Sequence, residues 1–274
     1  MWDRVKIILA VYTVIMLFIF LLPLILVLVL SFNADANIAF PIKRFSLFWY
    51  VGEPVTLGKG ISGIIYDPYI TRVVTNSVIL GVSTAIIATP LVTASALALR
   101  RRFHGRDAFF YLLLSGFIIP AIISGIGANI LYKNIGVKEY SLWTALPLHV
   151  VYTVPFGLIL TMARFDPDMV EYENAARALG AGEWNVFRKI TFPLIRAQVI
   201  SAFFFSFTLS LGELLRTSFV IAGIGSIPTY VYNQMSVTAP TPKWFALGSI
   251  TTVVSFVVLM TIAIFLTKEI RRVV

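Results

Sequence analysis

Six long apolar runs constrain this chain more than any other feature. They cover about residues 7–30, 73–99, 108–132, 142–163, 195–222 and 244–267. Each reaches the ~20 residues that a helix needs to cross a hydrocarbon core of ~30 Å. A lone spanning segment must satisfy its backbone N–H and C=O groups within itself, so each run predicts a transmembrane α-helix. The 274 residues are 58% hydrophobic and only 13% charged. A soluble domain carries about a quarter charged residues. This chain could not cover a soluble surface with polar groups, and lipid is the solvent it suits.

The same composition narrows the chemistry. There are no cysteines, which excludes disulfides and thiolate metal sites. The two histidines, His104 and His149, lie far apart in sequence. No metal site is predicted, and no Ser/His/Asp set or paired intramembrane carboxylates mark a membrane enzyme, so catalytic residues are expected to be none.

The net charge of +9 raises the question of nucleic acid, and the placement of the basic residues answers it. With the N-terminus inside, the inner segments hold Arg4, Lys6, Arg100, Arg101, Arg102, Arg106, Arg164, Arg177, Arg188, Lys189, Arg196, Lys268, Arg271 and Arg272. The outer segments hold half as many: Lys43, Arg44, Lys59, Arg72, Lys133, Lys138 and Lys243. Arg216 falls within the fifth run. A Lys/Arg excess marks cytoplasmic loops, so both termini are expected in the cytoplasm of a multi-pass cell-membrane protein. No nucleic-acid partner is needed to explain the charge. Ala34-Asp35-Ala36 resembles a signal-peptidase site, but the first run far exceeds the about 7–15 apolar residues of a signal peptide. A retained anchor helix is expected.

Within the second run, Gly81, Ala85, Thr89 and Thr93 recur every four residues. This puts small residues on one helix face, where neighbours can approach closely in lipid. Ser124-Gly125-Ile126-Gly127-Ala128 reads the same way. It is not a dinucleotide fingerprint, because no strand precedes it. Prolines at 23, 90, 120, 147 and 155 fall inside or near spans, where neighbouring helices can satisfy the backbone groups they free. The first outer loop, about 33–72, mixes Phe45, Phe48, Trp49, Tyr50, Tyr66 and Tyr69 with turn residues. An aromatic belt at the headgroups is its main reading, and a landing surface for an external partner is the other.

The longest polar interruption between apolar blocks holds Glu173-Asn174-Ala175-Ala176-Arg177-Ala178-Leu179-Gly180, followed by Ile190-Thr191-Phe192-Pro193. Asp166 suits an N-cap and Pro167 the first helical position. A short helix should run to about Leu179, with Gly180 in the left-handed conformation that ends helices. Gly182 adds a second flexible point. A second short helix should run from near Glu183 toward Phe192, with Pro193 marking a bend into the fifth span. Glu173 and Arg177 can pair on one helix face. Ala175 and Ala176 leave room for a partner's backbone. Trp184, Phe187 and Ile190 can pack one face of the second helix. An amphipathic interfacial helix pair is the plainer reading.

These residues resemble the cytoplasmic docking loop of permease subunits in ATP-binding-cassette importers: Glu-Ala-Ala, three residues, Gly, nine residues, Ile-x-Leu-Pro. The resemblance extends over nearly the whole chain and is closest to the spermidine/putrescine branch. Leu30-Ser31-Phe32-Asn33, Arg102-Phe103-His104-Gly105-Arg106, Phe187 to Leu194, Thr208-Leu209-Ser210-Leu211 and Ser218-Phe219-Val220 carry it. It implies an all-α membrane fold of six transmembrane helices with type I importer permease architecture. The chain would be a single transmembrane permease domain over 1–274, with core helices at about 70–267 and the docking loop at about 165–193.

The implied partners are a second permease subunit, two ATPase subunits and an extracytoplasmic solute-binding protein, all in or at the lipid bilayer. Glu173, Asn174, Ala175, Ala176, Arg177, Gly180, Ile190 and Pro193 would dock an ATPase subunit. The chain has no Gly-x-x-x-x-Gly-Lys-Ser/Thr loop. It is expected to bind no cofactor itself, with ATP and Mg on the partner ATPases. Two positions depart from the pattern: Asn174 stands at the family's Glu, and Phe192 at its Leu.

Glu213 and Arg216 lie inside the fifth run. Charges at that depth are costly and mark functional candidates. Three apart on a helix, they can neutralise each other, as a structural pair or as part of a solute path. Ser210 and Tyr230 join them as path candidates, Tyr230 from the Gly-, Pro- and Tyr-rich outer loop 223–243. There the resemblance implies a short helix touching the binding protein. A polyamine-like solute is the first expectation. Arg216 works against a cation, and Ser210-Leu211-Gly212-Glu213 resembles a segment of molybdate and sulfate permeases, which implies an importer of an anion or an amino-acid-like zwitterion as the alternative; an ion-coupled secondary carrier is a further one.

Overall fold

The computed structural model describes residues 2–38, 41–54, 62–163, 165, 168–223 and 225–273. Among the described residues it is all helical, apart from one isolated antiparallel bridge between Asn33 and Phe45. In chain order the elements are α1 (Trp2–Leu30), α2 (Phe48–Val51), a 3₁₀ turn (Ile64–Tyr66), α3 (Pro68–Leu99), α4 (Arg106–Ile118), α5 (Ala121–Asn134) and α6 (Leu142–Met162). Then follow α7 (Met169–Ala178), α8 (Glu183–Val186), a π-helical turn (Phe187–Thr191), α9 (Phe192–Leu211), α10 (Leu215–Ser218), α11 (Ile227–Val237) and α12 (Pro242–Val273).

Five described helical stretches are long and apolar enough to span a membrane: Val5–Leu30, Pro68–Leu99, Leu142–Met162, Glu183–Leu211 and Pro242–Ile264. A bent pair, Arg106–Ile118 with Ala121–Asn134, turning through 99°, is long and apolar enough only when its two helices are taken together. The single helix expected over 108–132 is therefore two. Pro120 drives Ile119 into an extended conformation, φ −66° and ψ 125°, as a residue before proline favours. The fifth span also ends early, at Leu211 rather than near 222, and resumes only as the single turn α10. Pro193 makes no break between a second short helix and the fifth span. It sits in the first turn of α9, directly after a π turn that carries the helix on from α8. The expected cap at Asp166 and Pro167 lies outside the described residues.

The chain divides into two compact units. The first takes residues 2–72 and 231–255. Most of α1 up to Leu26 is exposed along its apolar side chains, as lipid permits. After α1 the chain folds back: Ala34 N–H donates to Arg44 O at 3.0 Å and Ser46 N–H to Phe32 O at 2.8 Å. Trp49 is only 4% exposed and donates its Nε1–H to Asn33 O at 2.7 Å. Tyr50 OH bonds both Ser31 and Ser249 at 2.6 Å. Trp49 and Tyr50 thus staple α2 to the residues just after α1 and, through Ser249, to α12, whereas Phe45, Tyr66 and Tyr69 stay exposed. Asp67 caps the start of α3 through Tyr69 N–H at 2.9 Å and holds Lys243 at 2.7 Å.

The second unit takes residues 73–230 and 256–273. Its core helix is α6, where Val150 and Val154 pack with Ala88 and Val92 of α3 and Ala202 of α9. Small residues set the crossings. A Cβ on Gly116 would stand 2.3 Å from Val151 O, so α4 lies backbone to backbone on α6. A Cβ on Gly81 would meet the Phe207 ring at 2.9 Å, and Ala85 and Thr89 below it are buried. The four-residue repeat in α3 is a packing stripe, as its spacing predicts.

Candidate functional site

Two constructions stand out, both within the second unit. The first is the knuckle formed by α7, its turn and α8. Along α7, Met169 and Glu173 are buried, 1% and 3% exposed, one helical turn apart on the inner face. Asn174 and Ala175 are exposed, and Leu179 at the tip is 89% exposed. The helix ends in a Schellman arrangement: Ala181 N–H bonds Ala176 O at 3.0 Å and Gly180 N–H bonds Arg177 O at 2.9 Å. Gly180 supplies the required left-handed residue at φ +84°. Gly182, at φ −67°, is extended and needs no glycine for its backbone.

Glu173 anchors the knuckle. Its Oε1 accepts from Arg100 Nη2 at 3.0 Å and from the Thr191 hydroxyl at 2.7 Å. Arg100 follows the last residue of α3 and also lies over the Phe165 ring at 5.5 Å. One carboxylate thereby joins the end of α3, α7 and the π turn leading into α9. Burial pushes the Glu173 pKa up. The hydrogen bonds from Thr191 and Arg100, with the Arg100 and Arg177 charges, outweigh it and hold the carboxyl below its ordinary value.

The expected Glu173–Arg177 pair is present, at 3.8 Å, but it is the weakest link. Arg177 donates mainly to Glu183, Nε to Oε1 at 2.8 Å and Nη2 to Oε2 at 3.1 Å, and to Asn174 Oδ1 at 3.0 Å. This bidentate fork closes the turn from α7 to α8. It raises the Arg177 pKa, chiefly through the hydrogen bond to Glu183. Trp184 is 69% exposed and stacks on Phe187 at 5.7 Å. Ile190 lies half-buried in the π turn, and Pro193 is exposed.

The second construction lies at the α9–α10 break. Gly212, Glu213 and Leu214 leave the helix. Glu213 and Arg216 are 8% and 6% exposed. Glu213 Oε1 accepts the backbone N–H of Arg216 at 2.9 Å, and Oε2 accepts Arg216 Nη1 at 2.9 Å. The pair spans a cap, not the face of a continuous helix. The guanidinium lies 4.1 Å from the Tyr152 ring centroid and reaches Ile119 O at 3.5 Å. Arg216 therefore touches both helix breaks: its own, and the carbonyl that Pro120 strips from α4. Nearby, Asn129 of α5 donates to Phe219 O at 2.5 Å and Thr144 of α6 to Val220 O at 2.6 Å.

Ser210 joins this cluster. Its hydroxyl contacts His149 Nδ1 at 2.7 Å, and His149 Nε2 contacts Thr217 Oγ1 at 2.8 Å. Tyr230, the remaining path candidate, lies half-buried on α11, with its N–H on Ser226 O at 2.9 Å. Sequence reasoning missed His149, Tyr152, Thr217, Arg100 and Thr191. His149 carried a signal: a polar residue deep in an apolar run is a functional candidate by default. Among the described residues no cluster of three or more His, Cys, Asp or Glu could hold a metal.

A family model described as "Binding-protein-dependent transport system inner membrane component" matches residues 3–272. The spermidine/putrescine transport system permease protein PotC of Escherichia coli (strain K12) is 28% identical over 224 residues, covering 81% of this chain and 83% of that protein. PotC of Haemophilus influenzae is 29% identical, covering 82% and 83%. The putrescine transport system permease protein PotI of E. coli (strain K12) is 28% identical over 58% of this chain and 59% of its own length. Among solved structures, a chain of a bacterial ABC transporter involved in the import of the acidic polysaccharide alginate superposes with TM-score 0.65 at 17% identity, covering 96% of both chains. That likeness establishes the fold.

Proposed function

Because the chain belongs to the binding-protein-dependent transport system inner membrane component family, and is thus a permease subunit of an ATP-binding-cassette importer, we propose that it forms half of a path for a polyamine-like solute. An extracytoplasmic binding protein delivers the solute. A second permease subunit completes the path. Two ATPase subunits, carrying ATP and Mg, drive it from the cytoplasm, where both termini of this chain also lie. The knuckle is the docking element for one ATPase subunit. One observation carries this reading: α7 turns Glu173 inward onto Arg100 and Thr191 while exposing Asn174, Ala175 and Leu179. A push on the exposed face is then delivered to α3 and α9 together.

The polyamine leaning rests on the PotC and PotI relatives. Arg216 favours a second reading, an anionic or zwitterionic solute, because it neutralises the one carboxylate of the cluster. The test is uptake of radiolabelled putrescine, and separately of a zwitterionic amino acid and an oxyanion, into proteoliposomes. These hold the chain with its co-purified partners. ATP-dependent putrescine uptake that Ala176→Arg abolishes, without loss of the chain from the membrane, is the expected result. Uptake of the anion or zwitterion alone would move the assignment to the second reading. Unchanged uptake in Ala176→Arg would reject the docking role.

A further inference from the structure

His149 is fully buried in the middle of α6, and the importer reading gives it no task. Its surroundings do. One ring nitrogen faces Ser210, in the last turn of α9, and the other faces Thr217, in α10. The ring thus spans the break that holds Glu213. The hydrogen-bond network also selects its tautomer. With the proton on Nε2, Ser210 O–H donates to Nδ1 at 2.7 Å and Nε2–H donates to Thr217 Oγ1 at 2.8 Å. Thr217 O–H is then free to donate to Glu213 O at 3.0 Å.

With the proton on Nδ1, Thr217 would have to turn its hydrogen to Nε2 and abandon the Glu213 carbonyl. Ser210 would be left with Thr84 Oγ1 at 3.3 Å. The first arrangement uses the shorter contacts and satisfies a carbonyl that the broken helix cannot. It forms one directed chain, Ser210 to His149 to Thr217 to the Glu213 backbone, across three helices.

We propose that His149 is a positioning residue that bolts the α9–α10 break shut and so fixes the Glu213–Arg216 pair against Tyr152 and Ile119. This deepens the reading in which the break borders the solute path, and it assigns the solute no contact with the histidine. The bolt is made of hydrogen bonds and not of ring volume. An isosteric ring without nitrogens removes it, whereas an amide with one acceptor and one donor can restore it. Thr217 is the second link, and removing its hydroxyl alone cuts the same chain.

Hydrogen exchange on the full chain in detergent tests the bolt directly, by following backbone amides over 211–219. In His149→Phe and Thr217→Val these amides should exchange roughly tenfold faster or more, the scale of one to two lost buried hydrogen bonds. His149→Gln should return most of the protection. Wild-type exchange in both His149→Phe and Thr217→Val overturns the proposal, as does a Gln variant as fast as Phe. In the assembled importer, the same two variants should lower solute taken up per ATP hydrolysed, with Gln again restoring it. Faster exchange with unchanged uptake per ATP overturns the positioning role. A wild-type complex without ATP-dependent uptake would instead overturn the importer reading and leave the exchange result standing.

Discussion

Thr191 and Glu173 are 18 residues apart in sequence and 2.7 Å apart in space. Their hydrogen bond lands on the oxygen that Arg100 also holds, so the start of α9, α7 and the end of α3 share one acceptor. Removing it should cost far more than removing its neighbour. Glu173→Ala leaves the Arg100 guanidinium, 12% exposed, without its carboxylate. A buried pair broken on one side costs about 3–5 kcal/mol. Asn174→Ala, on the exposed face, should stay within about 0.5 kcal/mol. Thermal melting of the purified chain compares them. Equal losses would contradict the inward and outward assignment of α7.

The latch also has a pH signature. The Glu173 carboxyl is held below its ordinary value of 4.5. A group whose folded pKa is depressed contributes stability that is full above the unfolded value and lost as pH falls through the folded one. The chain contains no cysteine, so a nitroxide on Ala178→Cys is unique. Its mobility should stay constant from neutral pH down to about 4.5 and rise below it, because Glu173 protonates there. In a Glu173→Gln background that rise should vanish.

Gly180 and Gly182 make a matched comparison. Neither has a heavy atom within 4 Å of where a Cβ would sit, so only the backbone distinguishes them. Gly180→Ala forces an alanine to φ +84°, at a cost of about 1–2 kcal/mol. Gly182→Ala should be nearly silent, and Gly180→Asn should fall between the two. If this turn docks an ATPase subunit, as proposed, recovery of that subunit with tagged chain should rise from Gly180→Ala through Gly180→Asn to Gly182→Ala.

At the α9–α10 break each member of the buried pair protects the other. Glu213→Gln or Arg216→Met alone leaves an unpaired charge and should destabilise by about 3–5 kcal/mol. The double variant should recover most of that loss, since apolar or neutral replacement of a buried pair is often tolerated. A double-mutant cycle on melting temperature measures it. Simple additivity would mean that the two side chains do not depend on each other.

Gly116→Ala should weaken the α4–α6 crossing by about 1–3 kcal/mol, because its Cβ would meet a backbone oxygen, Val151 O, at 2.3 Å. Gly127→Ala is the control on α5, with open space around it. It should be neutral or slightly stabilising, by up to about 1 kcal/mol.

The six apolar runs, the short helix α7 and the left-handed Gly180 were legible in the sequence, because length, hydropathy and a fixed glycine spacing encode them locally. The two breaks were not. Hydropathy stays high across Ile118-Ile119-Pro120-Ala121-Ile122, and Leu211 and Leu214 flank the second gap. Proline alone does not discriminate, since Pro23, Pro90, Pro147 and Pro155 all sit inside unbroken helices. At Pro120 the freed Ile119 carbonyl finds a donor 97 residues later in Arg216. No local pattern announces that partner. Glu173 is similar: its pairing with Arg177 was readable at four-residue spacing, but its stronger partners are Arg100, 73 residues away, and Thr191. The bend assigned to Pro193 failed for a related reason. A π turn just before it lets the chain stay helical, with the proline in the first turn of α9.

The exposure of α1 has a consequence for how the protein is made. Its apolar window from Val5 carries a mean hydropathy of 3.2, and none of that window is buried. A helix whose apolar side chains stay unpacked from Val5 to Leu26 can enter the bilayer without waiting for its neighbours to fold. Insertion and assembly then separate into two stages. Substitutions along Val5–Leu26 should alter the yield of inserted protein and leave the melting of what does insert unchanged, whereas substitutions in α6 should do the reverse.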